Sequence, residues 1–381
     1  MRKIGVVTGT RAEYGYLKPL MAEIEKDDEL ELTPLITGMH LIKEFGETYR
    51  AVEQDFPDAI KVPMRMKSDS LKAMALYLSS GINNFANHLD KSDIDILIVL
   101  GDRSEALAAA LAALYLNIPI AHVNGGDVTG GIIDEQIRHA LTKISHIHFV
   151  QTKQNAERVK KMGEEKNRIF LTGALTIDVI KNTKLKPKKT IFSQLNLNPR
   201  KTTFLVVQHP ITTIEDKGYH EFKEVVQALE TLKRQTVLIY PNCDAGGKKF
   251  IKLIKKIEKK DFLKVIKNLD HIDYLSLMKA VDLMIGNSSS GIIESPSLRI
   301  PVINVGSRQS GRQRSDNIIN IPSQRDKILN SINFALTNES FQKKVNNCNN
   351  VFGNGTSSKK IIKILKNIKI SEDFIRKQIT Y

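Results

Sequence analysis

The chain has 381 residues, 41% of them hydrophobic, a formal charge of +15 and two cysteines, Cys243 and Cys348; this length suits two domains of about 180 residues, each with its own core. Two thiols exclude a disulfide framework and a cysteine-based metal site, no run reaches the ~20 apolar residues of a membrane span, and MRKIGVVTGT enters a strand without a signal peptide, so a cytoplasmic location is expected. The charge does not point to nucleic acid: residues 1–150 hold twenty-one acidic against fifteen basic residues, and the later Lys runs (FIKLIKKIEKK, KKIIKILKNIK) alternate with Ile and Leu as solvated helix faces do.

In chain order, KIGVV (Lys3 to Val7) reads as a strand followed by GTRAEYG and a helix to about Lys26. A strand at Leu32 to Thr37, a short one near Ile60 and a helix from Ser70 to Leu89 lead to the most informative block, Ile96 to Ala140. There ILIVL is a buried strand stopping at Gly101-Asp102-Arg103, Ser104 to Leu116 an Ala/Leu helix, and Ile118 to Val123 a second buried strand. A glycine-bracketed loop with Asn124 and Asp127 follows, then a helix opened by Asp134-Glu135 and carrying Arg138 and His139. Strands at His148 to Gln151 and Ile169 to Thr172 flank a helix from Lys153 to Met162. Lys181 to Arg200, basic with Pro187 and Pro199, reads as an interdomain linker with an entry helix.

The alternation restarts at Thr203 to Val207, a strand ending in Gln208-His209-Pro210, and continues through Thr236 to Tyr240, Leu263 to Ile266, Leu283 to Ile285 and Val302 to Val305. Helices are expected at His220 to Lys233 and Tyr274 to Val281, and one begun at the GNSSSG turn that stops before Pro301. A βα repeat of this kind predicts two doubly wound, Rossmann-like α/β domains facing each other across a cleft. The expected boundaries are 1–180, 181–356 and 357–381, with the last helices (Ser357 to Lys369, Glu372 to Lys377) packing back on the first domain.

Parallel sheets open their carboxyl ends onto one crevice, so Asp102, Asn124, Asp127 and Asp134 are expected to converge there for acid/base chemistry. GNSSSGIIES (Gly286 to Ser295) offers hydroxyls and backbone N–H groups at a helix N-terminus, either as a phosphate seat or as plain capping. Glu294 then either accepts the hydroxyls of a ribose or is a surface carboxylate. His209 stands at a strand mouth, where it is incidental or donates to a leaving diphosphate. Arg11, Arg103 and Arg308 each follow a strand, and together they favour an anionic ligand. His139, His146 and His148 lack a recognised metal-ligand spacing, and GTRAEYG is not the GxGxxG of a dinucleotide turn, so neither metal nor NAD is expected.

The ordered blocks GTRAEYGYLKPL, GDRSEALAAALAALYLNIPIAHVNGGDVTGGIIDEQIRHALTKISHIHF, QHPITT, PNCDAGGKK and GNSSSGIIESPSLRIPVINVGSRQSGR resemble the hydrolysing UDP-N-acetylglucosamine 2-epimerases. The resemblance implies a GT-B-type fold, a UDP-sugar substrate, no cofactor, no metal and a homodimer or homotetramer. The implied reaction converts UDP-N-acetylglucosamine and water into N-acetylmannosamine and UDP for sialic-acid-type sugars; a close branch takes UDP-N,N′-diacetylbacillosamine for legionaminic acid. Non-hydrolysing 2-epimerases share the fold but carry Pro at the position of Ala12, and a catalytically inactive nucleotide-sugar sensor is the remaining alternative.

Carried onto this chain, the resemblance puts Asp102 and Asp134 on acidic catalytic positions, and Asp127 and His209 are expected to act with them. It places Arg11, His209, Asn242, Ser288, Ser289, Glu294 and Arg308 around UDP, and Arg103, Asn124, Asp178, Gly286 and Ser290 complete the expected substrate contacts. Asn124 departs from the family, where relatives have Glu, or His with a Glu at the position of Asp127. Asn cannot exchange a proton at neutral pH, so either Asp127 does this work or Asn124 only binds the sugar.

Overall fold

A computed structural model describes the chain except residues 44–45, 66–69, 129–131, 211–216, 242–246, 268 and 381. It divides into two compact units, one of residues 1–127, 133–179 and 352–381, the other of 128–132 and 180–351. The elements are β1 (Arg2–Thr8), α1 (Arg11–Glu25), β2 (Leu30–Thr37), α2 (Tyr49–Asp55), β3 (Ile60–Val62), α3 (Leu71–Leu89), β4 (Ile96–Leu100), α4 (Ser104–Tyr115), β5 (Ile120–Val123), α5 (Ile132–Ile144), β6 (Ile147–Val150), α6 (Lys153–Lys161), β7 (Ile169–Leu171) and α7 (Leu175–Asn182). After α8 (Lys188–Gln194) come β8 (Thr203–Val207), α9 (Lys217–Leu232), β9 (Gln235–Ile239), α10 (Gly247–Ile257), β10 (Leu263–Ile266), α11 (His271–Ala280), β11 (Leu283–Gly286), α12 (Ser290–Ile293), α13 (Ser295–Leu298), β12 (Val302–Val305) and β13 (Ile318–Ile321). Then follow α14 (Arg325–Thr337), α15 (Glu339–Asn346), α16 (Ser357–Asn367) and α17 (Glu372–Ile375).

The first sheet has the order β3-β2-β1-β4-β5-β6-β7 and every pairing is parallel. Its central strands are fully buried, as strands of a parallel sheet covered on both faces are. Strand order reverses between β1 and β4, the switch point where such sheets open a crevice at their carboxyl ends. Arg11 follows β1, Asp102 follows β4 and Asn124 follows β5, so the acidic block lies on that edge. Ile361 and Leu365 of α16 enter the core of this unit beside Leu17, Met21 and Ile24 of α1.

The second sheet repeats the plan, β10-β9-β8-β11-β12-β13, again all parallel with its reversal between β8 and β11. Its core is built on Phe204, Val206, Leu238, Ile285 and Ile303, with Phe222 of α9 stacked on Phe250 of α10 at 4.8 Å. His209 follows β8, and the Gly286 to Ser290 turn follows β11. Here the structure corrects one expectation. The helix expected to begin at GNSSSG and stop before Pro301 is two single turns, α12 and α13, that meet at Glu294. Pro296 has no N–H to give the Ile292 carbonyl, and its ring obstructs that turn, so the helix cannot continue.

Candidate active site

In the first unit the carboxylates gather around one arginine. Arg138 lies on α5 one turn after Asp134 and its side chain is almost wholly buried, although its guanidinium is charged. It forms an ion pair with Asp102, bonds Glu135 at 3.1 Å and donates to the backbone carbonyl of Asp127 at 3.3 Å. Three of the expected acidic segments, the β4 corner, the Asn124–Asp127 turn and the start of α5, are thereby tied at one point. Asp127 is buried, Asp102 half-buried and Asp134 exposed. Asn124 adopts φ +70°, a left-handed geometry that Asn tolerates better than most residues, and the amide N–H of Asn124 continues the β-ladder to Phe149 O at 3.0 Å. Among the described residues the buried Oδ1 of Asn124 has no hydrogen-bond partner. Arg138 itself was absent from the sequence-derived site; the signal was available, a charge on the apolar face of a helix next to two acidic residues.

Two expected substrate contacts are bonded to the protein itself, and a third lies outside the described residues. Arg103 is engaged with the protein itself, its Nε and Nη2 both bonding the Glu105 carboxylate, at 3.2 and 3.1 Å. Glu105 is buried and also accepts from Tyr77 Oη at 2.8 Å, so removing Arg103 would leave a nearly dehydrated charge. Asp178 is a helix cap; its two carboxylate oxygens accept from the backbone N–H groups of Ser357 and Ser358 at 2.9 and 2.6 Å, at the start of α16. Asn242 lies outside the described residues.

A second carboxylate, Glu13, was not anticipated. It closes the first turn of α1, with Glu13 N–H donating to Thr10 Oγ1 at 3.2 Å and Glu13 Oε2 accepting from Gly9 N–H at 3.0 Å. Burial pushes its pKa up to about 7; Arg103 opposes the shift and Glu105 adds to it.

The second unit presents hydroxyls and cations. Asn287 clamps the His209 backbone from both sides, accepting its N–H at 2.7 Å and donating to its carbonyl at 2.9 Å. Arg308 Nη1 and Gln309 Nε2 both donate to the Asn287 carbonyl, at 3.1 and 2.8 Å. Gly286 makes this corner possible: at φ +137° a Cβ would stand 2.0 Å from the Val207 carbonyl. Ser288 and Ser290 share a hydroxyl contact at 2.9 Å, Ser290 also meets the Tyr274 hydroxyl, and Ser289 is the residue before α12. Glu294 is buried, with His271 Nε2 3.7 Å away, so it is no surface carboxylate. Because α12 is a single turn, its dipole is small, and any anion here is held by hydroxyls, backbone N–H groups and the nearby cations. Arg11 is exposed at the start of α1 in the first unit.

His139, His146 and His148 stand in three separate settings. His139 faces Glu135 at 3.3 Å, buried His146 accepts from Ile120 N–H at 3.2 Å, and buried His148 bonds Glu164 at 2.9 Å. Among the described residues no three His, Cys, Asp or Glu side chains are grouped to hold a metal ion, and no helix is long and apolar enough to cross a membrane.

A sequence model of the UDP-N-acetylglucosamine 2-epimerase family matches residues 22–366. The chain belongs to that family. It is 34% identical over 99% of both chains to the UDP-N,N′-diacetylbacillosamine 2-epimerase (hydrolyzing) of Legionella pneumophila. It is 36% identical to the GDP/UDP-N,N′-diacetylbacillosamine 2-epimerase (hydrolyzing) of Campylobacter jejuni, over 84% of each chain. The crystal structure of UDP-GlcNAc 2-epimerase from Neisseria meningitidis bound to UDP-GlcNAc superposes with a TM-score of 0.80 at 20% identity, over 95% of this chain and 99% of that one. This 2-epimerase-family chain therefore has the expected fold class, two Rossmann-like α/β units of the GT-B type.

Proposed function

We propose that the protein hydrolyses a UDP-linked 2-acetamido sugar with inversion at C2, releasing UDP and the free 2-epimer. The observation that carries this reading is the contrast between the two switch points: carboxylates tied by Arg138 at one, hydroxyls with His209 and Arg308 at the other. The first suits proton transfer at C2, the second a leaving diphosphate.

In the proposed course Asp134 takes the C2 proton while the C1–O bond breaks, its electron pair leaving with UDP. The result is a 2-acetamidoglucal. Water then adds through oxygen to C1, giving up a proton to a carboxylate, as C2 receives a proton on its opposite face; Asp102 and Asp127 serve these steps. Asn124 cannot titrate, and its unpartnered Oδ1 suits it to hold the sugar. His209 and Arg308 offset charge on the departing diphosphate, with Ser288, Ser289, Ser290 and Glu294 around the nucleotide.

The sugar expected from the sequence was UDP-N-acetylglucosamine. The names of the Legionella and Campylobacter relatives favour UDP-N,N′-diacetylbacillosamine, with UDP-N-acetylglucosamine as the second reading. Incubating the enzyme with each and quantifying free sugar and UDP tests both. A cytoplasmic homodimer or homotetramer completes the proposal, and light scattering of the purified protein reads its subunit number.

A further inference from the structure

His122 is a polar residue at the centre of a fully buried parallel strand, where β-branched apolar side chains are the rule. Its Nε2 lies 2.8 Å from the carbonyl of Gly101, the residue before Asp102. A carbonyl only accepts, so Nε2 carries the hydrogen and Nδ1 is the acceptor. Thr142 Oγ1, one turn beyond Arg138 on α5, lies 3.2 Å from Nδ1 and 3.0 Å from the Arg138 carbonyl, its single hydrogen shared between those acceptors. Burial pushes the imidazole pKa down to about 4, which keeps the ring neutral in this tautomer.

The ring also supports the loop above it. A Cβ on Gly125 would come 3.1 Å from both His122 Nδ1 and Thr142 Oγ1, so the Asn124–Asp127 turn rests directly on this pair. One side chain thus touches all three segments that bear the acidic residues. Gly101 has φ +75°, and its carbonyl, turned from the regular strand direction, is held there by the imidazole.

We propose that His122 is a positioning residue that fixes the Gly101–Asp102 peptide and the Asn124–Asp127 turn relative to α5, setting the carboxylate geometry on which turnover depends. It touches no reacting atom. The inference rests on the proposed hydrolytic epimerisation, so its test includes a readout independent of activity.

That readout is the ring tautomer. In histidine-labelled wild-type protein at pH 6, nitrogen–proton correlation is expected to show a neutral His122 protonated at Nε2; an Nδ1-protonated or charged ring overturns the proposal, whatever the enzyme turns over. The kinetic arm compares His122→Phe, which fills the space without a donor, with His122→Gln, whose amide N–H reaches the Nε2 position. His122→Phe is expected to lower kcat on the order of 10²-fold with KM changed less than about threefold, since misplacement of a catalytic group by about 1 Å costs that much. His122→Gln is expected to recover about tenfold of the loss. Equal losses in the two folded variants, or a His122→Phe enzyme with wild-type kcat, overturn the proposal. Should His122→Phe not fold, His122→Asn, whose amide falls short of the Gly101 carbonyl, takes its place under the same criteria. Wild-type protein that turns over neither UDP-sugar would instead remove the functional reading and leave the tautomer result standing.

Discussion

Under the proposed function, the site residues divide into those given chemistry and those that hold shape. Asp134 stands exposed on the first turn of α5, and the proposed course makes it the base. Asp134→Asn is expected to lose about 10²–10⁴ in kcat with the fold intact, the usual cost of a lost general base; solvent exchange at C2 should fall with it. Arg103→Ala belongs to the other class. It strips the buried Glu105 of its bidentate partner and is expected to cost about 2 kcal/mol of stability, read by urea unfolding, with UDP affinity unchanged. Asp178→Ala, which uncaps α16, is expected to cost about 1–2 kcal/mol on the same measurement. The sequence revealed that Asp102 ends a strand but not that Arg103 is consumed by Glu105, because two adjacent corner residues read alike until their partners are known. Asp178 shows the same limit more sharply, its partners lying 179 and 180 positions away.

At the scale of elements, most strands were legible because buried parallel strands are short, mainly apolar runs between polar corners, whereas β13, with no fully buried position, was not anticipated. The helix after GNSSSG breaks at a point the sequence reading did not mark, because a break of this kind is settled by the one N–H that Pro296 lacks. Buried histidines were also hidden, since a His inside a strand run carries no sign of its protonation. Burial lowers His40, His122 and His146 to about 4 each. Between pH 6.5 and 4 the unfolded chain therefore takes up protons that the folded one refuses, and stability falls on acidification by up to about 3 kcal/mol per histidine. Glu13, raised to about 7, works in the opposite sense, because the folded state keeps its proton above pH 4.5, but it is one group against three. Glu164, lowered to about 2 by its bonds to His148, Lys143 and Lys377 despite its burial, adds a further loss between about pH 4.5 and 2. Urea midpoints are expected to fall steadily from pH 7 to pH 4.5, and a flat profile would contradict the neutral buried rings.

For the whole molecule, seven- and six-stranded sheets share one winding plan, and the proposed function gives proton transfer to one switch point and the departing diphosphate to the other. The βα repeat made the two units legible from sequence. The sugar was not legible, since recognition of its C4 and C6 substituents depends on loop geometry that no local pattern encodes. The most direct test of the central claim is NMR of the purified enzyme turning over UDP-N,N′-diacetylbacillosamine, and separately UDP-N-acetylglucosamine, in deuterated water. The account predicts, for one of them, UDP together with a free 2-epimerised sugar bearing deuterium at C2. A 2-epimer still linked to UDP, a free sugar retaining its original C2 hydrogen, or no turnover of either substrate would contradict it.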